Sequence, residues 1–484
     1  MTQRVRRNAI PFLTLSATAM PLAAFFMLFA VVSNPLTAQA QPTVASNSDR
    51  RPLHGPDELH EIAIAPDPAR IEADLIKLVS FGTRHTLSDT ASETRGIGAA
   101  RRWIHEEFES ISAACGGCLE VFYVSGTVEG EQRIPNPVEV VNVVAVQRGT
   151  HDPDRIALMA GDIDSRVSDV MDPTSDSPGA NDNATGVAGV LEAARVLSRF
   201  EFPGTIVYTA LSGEEQGLFG GRILSEYAKE NGWRIKAVLN NDMIGNIAGI
   251  NGVVDNRTVR VFSEGTRYVE TPQEARIRRF TGGEVDSPSR NLARYIKELA
   301  EHYVPNTQVM MVYRLDRFGR GGHHRPFNEA GIPGVRIMET WEHYDRQHQD
   351  IRTEDGRAYG DVLEGVDMAY AAKLTGVNAV VLASLSAAPA PPASVRILGA
   401  VRPSTTLIWD AIQAERMPAP STYRVHWRLT DQPMWQWHRN VGDLDEFTLE
   451  NVVIDNYYFG VSAVSADGFQ SPVVFPGPAG SFGE

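Results

Sequence analysis

Cysteine is almost absent, with Cys115 and Cys118 the only two in 484 residues and Gly116-Gly117 between them. So few thiols exclude a disulfide-stapled small fold and a four-sulfur structural zinc site. In an oxidising compartment the pair would close a short disulfide, which pins a local turn and removes little chain entropy. A redox-active pair is the alternative, but no thioredoxin-like βαβ pattern flanks it. Positive charge is also scarce: 45 Lys and Arg stand against 60 Asp and Glu, a formal charge of −15. An acidic surface without a basic run repels phosphate backbones, which excludes nucleic acid as a partner. Beyond the N-terminus no segment reads as apolar enough to cross a membrane. Hydrophobic residues still make up 43% of the chain, enough for an ordinary core, and the length suits two or three domains.

The N-terminus carries the long apolar run that the rest lacks. Arg4, Arg6 and Arg7 precede an apolar stretch over residues 19–32, and Ala38-Gln39-Ala40 supplies a small-x-small cleavage pattern. Residues 1–40 read as a signal peptide, so the mature protein is expected to be secreted or periplasmic, with no stable membrane insertion. An uncleaved anchor over residues 10–32 is the alternative, although Pro11 and Pro21 interrupt it.

From residue 68 onward, helical and strand-like periods alternate. Helices are predicted over 68–79, 96–111, 183–199 (with Asp182 as N-cap), 218–229, 289–303 and 361–385. Strands are predicted over 138–146, 156–160, 205–211, 235–240, 308–313 and 334–338. The expected fold class is α/β: a mostly parallel central sheet flanked by helices, with a site at the carboxyl ends of its strands. This domain would span 41–385. A Pro/Ala-rich linker, 386–394, leads to a small all-β sandwich over 395–484, where Thr406–Trp409, Tyr423–Leu429 and Tyr457–Ala463 alternate with period two.

Acidic residues and histidines recur where the predicted strands end: Asp162 and Asp164, Asp182, Glu214 and Glu215, Asp242, then His343 and His348. Any one of these could be a solvated loop tip or a helix cap. Gathered on one sheet edge they would repel one another unless a cation intervened. Carboxylates and imidazole suit zinc or a similar divalent ion.

Pro178-Gly-Ala-Asn-Asp-Asn-Ala-Thr-Gly186, Leu211-Ser-Gly-Glu-Glu-Gln-Gly-Leu218, Asn241-Asp-Met-Ile-Gly245 and Gly322-His-His-Arg-Pro-Phe-Asn-Glu-Ala-Gly-Ile-Pro333 together resemble the signature motifs of the M28 zinc peptidases. The resemblance covers residues 68–385 and implies a metallo-exopeptidase, aminopeptidase-like, acting on peptide or protein substrates through two zinc ions. It implies Asp182 as the bridging ligand, Glu215 and His348 completing one site, and Asp242 the other. Glu214 would be the general base, with the start of a helix after Gly213 helping to hold the paired glutamates. His343 is the alternative last ligand, while His323 and His324 are expected to line the substrate pocket or cap a turn. A cis Asp182–Asn183 bond is also implied, and specificity is expected in loops over residues 244–281.

One position departs from the family. Where a His-x-Asp is usual, this chain has Asp162-Ile-Asp164, which leaves an all-carboxylate set of Asp162, Asp182 and Asp242, with Asp164 in support. Such a site is expected to be weak or to prefer Mn2+ or Mg2+, and Asp162→His is expected to raise zinc occupancy toward two. The alternative function is a peptidase-like binding protein with little or no turnover. The C-terminal segment resembles a fibronectin type III domain through Trp409 and the Tyr457, Phe459, Val461, Ala463 series, with Tyr457 placed like a tyrosine corner.

Overall fold

The structure is a computed structural model and describes residues 50–412 and 419–482. The segment read as a signal peptide lies outside the described residues.

An eight-stranded sheet organises the main body. Its strands are β1 (Glu120–Val128), β2 (Val138–Gln147), β3 (Asp152–Asp162), β4 (Gly204–Leu211), β5 (Arg234–Asn241), β6 (Thr258–Ser263), β7 (Gln308–Val312) and β8 (Gly334–Glu339). Their spatial order is β1-β2-β4-β3-β5-β8-β6-β7. The four central strands β4, β3, β5 and β8 are parallel, as β6 is to β7. The pairs β1/β2, β2/β4 and β6/β8 are antiparallel, so the sheet is mixed rather than mostly parallel. The difference arises because β1 pairs with β2 as a hairpin, and β6 enters between strands whose order the sequence period does not encode.

Helices α1 (Pro68–Val79), α2 (Gly96–Ala114), α3 (Thr185–Leu197), α6 (Pro288–Tyr303) and α7 (Met368–Ala387) cover one face of the sheet, and α4 (Phe219–Glu230) covers the other. Asp67 caps α1 by accepting the Ala69 N–H, with Pro68 in the first turn where its missing N–H costs nothing. Helix α5 (Pro272–Thr281) lies in the segment expected to form specificity loops. It contains no buried residue, and the loop before it bonds outward, Arg267 Nη1 donating to the Pro478 carbonyl at 2.8 Å.

Helix α7 begins at Met368, later than its apolar pattern suggested, because Asp367 caps it by accepting the Tyr370 N–H. Contrary to the sequence reading, this helix is by length and composition apolar enough to cross a membrane, but it is mostly buried within the fold. Its Asn378 exchanges side-chain amide hydrogen bonds with Asn241 at 2.7 and 3.0 Å, tying the core helix to the end of β5. The expected disulfide joins Cys115 to Cys118.

The C-terminal segment folds as two three-stranded antiparallel sheets. One is β9 (Ala393–Leu398), β10 (Thr405–Asp410) and β13 (Glu446–Leu449). The other is β11 (Thr422–Leu429), β12 (Trp437–Gly442) and β14 (Tyr457–Val464). Their inner faces share a core around Trp409, Tyr423, Phe459 and Val461. The hydroxyl that accepts a backbone N–H here belongs to Tyr423, from Ile412 at 2.8 Å. Tyr457 instead packs edge-on to Trp437 and Phe459, so the tyrosine-corner assignment is corrected.

This segment is clamped to the main body by a buried ion triad. Asp286, just before α6, receives Arg294 Nη1 at 2.8 Å and Arg428 Nη2, from β11, at 2.7 Å, and all three side chains are almost wholly buried. Removing the shared acid leaves two guanidiniums in a dry interface. Asp286→Ala is expected to destabilise the protein by about 3–5 kcal/mol, read as the shift in denaturant midpoint. An unchanged midpoint would show that the clamp is dispensable.

Candidate metal centre

Strands β3, β4 and β5 run parallel, so their carboxyl ends deliver residues to one edge. Asp162 ends β3, Glu214 and Glu215 follow β4, and Asp242 follows β5. Close approach of α3 to that edge depends on two glycines. A Cβ on Gly161 would sit 2.5 Å from the Gly186 carbonyl carbon, and one on Gly186 would sit 2.5 Å from the Asn241 carbonyl oxygen.

Asp182, Glu215 and His348 converge. His348 Nε2 lies 2.8 Å from Glu215 Oε1 and 2.9 Å from Asp182 Oδ2, and one donor atom of each falls within 4.8 Å of the others. Asp182 does not cap α3. It lies in a wide turn, Ala180–Ala184, whose Asp182–Asn183 bond is cis, as the motif implied. Asp361 holds that turn by accepting the Asn181 and Asp182 amides at 2.9 and 2.7 Å. Burial alone would raise Asp182 and Glu215, but the adjoining His348 charge pulls both below their ordinary values. Burial would lower His348, but the same two carboxylates raise it to about 9. His343 contributes no donor to the cluster.

Glu214 is half-buried beside these three and has no side-chain hydrogen bond or ion pair among the described residues. Residues 214–218 form a turn, and α4 starts only at Phe219, so the helix start does not hold the glutamates. Asp164 does: its carboxylate accepts the Glu214 and Glu215 amides at 3.1 and 2.9 Å and the Thr86 hydroxyl at 2.9 Å. Burial, then the neighbouring charges of Glu215 and Asp242, push Glu214 well above its ordinary value.

The other half of the edge is built differently. Asp162 Oδ1 lies 2.5 Å from His323 Nδ1, and its Oδ2 accepts from Asn183 Nδ2 at 2.9 Å. Asp242 Oδ2 is ion-paired with Arg336 Nη2 at 2.6 Å. Arg336, fully buried in β8, is fixed from its other side by Asp316 at 3.0 Å and the Gly321 carbonyl at 3.0 Å. His323 is thus neither a turn cap nor a pocket wall but the partner of Asp162. His324 donates or accepts at the Leu315 carbonyl, 2.8 Å away, and faces Asp316 at 3.6 Å.

A divalent ion fits the first set and not the second. Two carboxylates and an imidazole with one donor atom of each within 4.8 Å of the others are a normal zinc donor set. Arg166 donates to Glu215 Oε2 at 2.8 Å and lies 2.7 Å from His348 Nδ1. A guanidinium can only donate, and the imidazolium favoured by the two carboxylates carries a proton on each nitrogen, so Arg166 opposes His348 at Nδ1 while Nε2 donates toward Asp182 and Glu215. An ion on Nε2 would displace its proton and leave the other on Nδ1, where Arg166 must then turn away from that nitrogen. The expected set of Asp162, Asp182 and Asp242 does not converge, because Arg336 and His323 already engage its outer members. A second dication would have to displace a buried, doubly held guanidinium.

Sequence reasoning missed Arg336, Arg166 and Asp361. Arg336 left a signal, a charge flanked by apolar residues in the strand Gly334–Glu339, whose other charge, Glu339, stands at its end. Arg166 and Asp361 sit in loops and left none.

Residues 142–367 match the Peptidase family M28 model. The chain is 43% identical over 423 residues to a "Probable zinc metalloprotease" of Leptosphaeria maculans, covering 87% of this chain and 97% of that protein. It is also 43% identical over 417 residues to a protein of the same description from Pyricularia oryzae, covering 85% and 83%. The chain belongs to peptidase family M28. The fold is similar to that of Legionella pneumophila LapA, with a TM-score of 0.51 at 20% identity over 68% of this chain and 76% of that one. This M28 zinc metallopeptidase has paired glutamates after β4 and an arginine on Asp242.

Metal analysis after dialysis is expected to give one tightly bound ion per chain, lost in Glu215→Gln and His348→Gln. Asp162→His is expected to leave the count at one, because Arg336 still sits on Asp242. Two tightly held ions in the parent protein would show that Arg336 yields Asp242 to a metal.

Proposed function

We propose that this M28 peptidase is a metal-dependent exopeptidase, aminopeptidase-like, with Glu214 as its general base and Asp182, Glu215 and His348 as the ligands of one zinc ion. The observation that carries the reading is Glu214 itself, an unpartnered carboxylate on the wall of a cavity of about 490 Å³, beside the three converging donors. A bound divalent ion would supply Lewis-acid polarisation of the scissile carbonyl and a more acidic water.

The chain's own groups do the rest. Glu214 takes a proton from the attacking water and passes it to the leaving amine, a task suited to a free carboxylate that burial and the neighbouring charges make more basic. Asp164 fixes Glu214 through its backbone amide, leaving the carboxylate free to turn. Arg336 places a permanent positive charge behind Asp242 and opposes the build-up of negative charge at this edge. Action outside the cytoplasm follows from the pattern of residues 1–40, and the C-terminal double sheet serves as a fibronectin type III-like spacer. A peptidase-like binding protein is the second reading, favoured by the missing imidazole at position 162. The lone Glu214 weighs against it, since a binding scaffold has no use for a base.

Glu214→Gln is expected to lower hydrolysis of unblocked peptides by ~10²–10⁴ while metal content and thermal midpoint stay at parental values. Mass spectrometry of the products identifies which end is shortened. A variant retaining near-parental turnover would remove Glu214 from the mechanism.

A further inference from the structure

The cavity beside Glu214 has a composition at odds with the chain as a whole. The protein carries a formal charge of −15, yet five arginines line this one cavity: Arg133, Arg166, Arg222, Arg320 and Arg325. Its only acids are Glu214 and Glu215. Glu215 is already occupied by Arg166 and His348, and Glu214 is the group assigned to proton transfer.

The guanidiniums are not consumed by partners of their own. Arg325 pairs with Glu329 at 2.7 Å. Arg133 reaches only the Glu215 carbonyl, at 2.6 Å. Arg222 lies over the Phe219 ring, 5.3 Å from its centroid. Arg320 has no side-chain partner among the described residues. Three of the five therefore lack a carboxylate, and they approach the cavity from separate places: the β1–β2 connection, helix α4 and the loop before His323. Like charges brought together from three segments repel unless an anion is received there. Guanidinium is also the side chain whose planar donors match a carboxylate edge. No unpaired carboxylate other than Glu214 faces the cavity, so nothing there favours a cationic peptide group.

We propose that this cavity is the substrate subsite and that it selects peptides presenting a carboxylate next to the scissile bond, held by Arg222 and Arg320 with Arg133 in support. The proposal rests on the peptidase reading for the word substrate, but not for the binding it predicts. Two sources share the chemistry: an Asp or Glu side chain, and the α-carboxylate of a short peptide.

Four matched tripeptides separate them, with Glu or Gln at the residue after the first peptide bond, each with a free or amidated C-terminus. Binding is measured by calorimetry to zinc-loaded Glu214→Gln protein, and hydrolysis by mass spectrometry with the parent protein. At least one carboxylate is expected to improve both Kd and kcat/KM on the order of tenfold over its neutral counterpart, with the advantage shrinking at high salt. The Glu–Gln comparison reports the side chain, and the acid–amide comparison reports the terminus. In Arg222→Gln/Arg320→Gln the ratio is expected to fall toward one. Equal binding of all four peptides, or no binding of any, overturns the proposal. Carboxylate-selective binding with no hydrolysis of any peptide would sustain the subsite and sink the peptidase reading.

Discussion

The structure turns on a crowd of buried carboxylates at the carboxyl edge of three parallel strands. Asp162, Asp164, Asp182, Glu215 and Asp242 are all buried there, with Glu214 beside them. Burial disfavours each charge, and each charge disfavours its neighbours. A folded chain tolerates this only by distributing positive charge and N–H donors among them. Arg336 answers Asp242, Arg166 and His348 answer Glu215, Asn183 and His323 answer Asp162, and backbone amides answer Asp164. Glu214 is the member left unanswered, which is why the proton chemistry is placed on it.

That arrangement needs a stiff frame, and the frame is apolar. Helix α3 presses against β3 through Gly161 and Gly186, where any side chain would hold the two apart. Behind them Asn241 and Asn378 satisfy each other in the core, so the end of β5 is fixed by hydrogen bonds on one side and by Arg336 on Asp242 one residue later. Asp361 and Glu339 then fix the turn that carries Asp182: Asp361 through its amides, and Glu339 through the Asn181 side chain at 2.9 Å. Displacing any of these supports moves a ligand without touching it, which is how distant substitutions reach a metal centre.

Much of the frame was legible in the sequence because buried strands and amphipathic helices leave periods. The helix predicted over 68–79 spans those residues, and the strands ending at Leu211 and near Asn241 fall where β-branched runs placed them. Sheet order left no such trace, so the antiparallel flanks went unread. The donors Asp182, Glu215 and His348 were legible through motifs. Their partners Arg166 and Asp361 were not, because they sit in loops where an arginine or aspartate is unremarkable. Local pattern places a residue on an element; it does not say which distant charge it will meet.

Position 162 shows how far that limit reaches. Read along the chain, an aspartate there is the loss of an imidazole and a weakened metal site. In three dimensions an imidazole is present after all, brought by His323 from another loop, with its Nδ1 on Asp162 and its ring packed against helix α4 at Gly221. It serves as the carboxylate's partner rather than as a ligand, and burial depresses it to about 4, so it is neutral and can give Asp162 a single N–H. That N–H, the Asn183 amide and the Arg336 cation compensate this half only in part: burial and the neighbouring carboxylates still push Asp162 well above its ordinary value and Asp242 up to about 8. The half formed by Asp182, Glu215 and His348 is compensated by the Arg166 guanidinium on Glu215 and by the imidazolium, whose Nε2 faces the Asp182 and Glu215 oxygens. A divalent ion in place of the Nε2 proton would face two carboxylates at once, and that convergence of donors, with Arg336 seated on Asp242, favours this half of the centre for the metal.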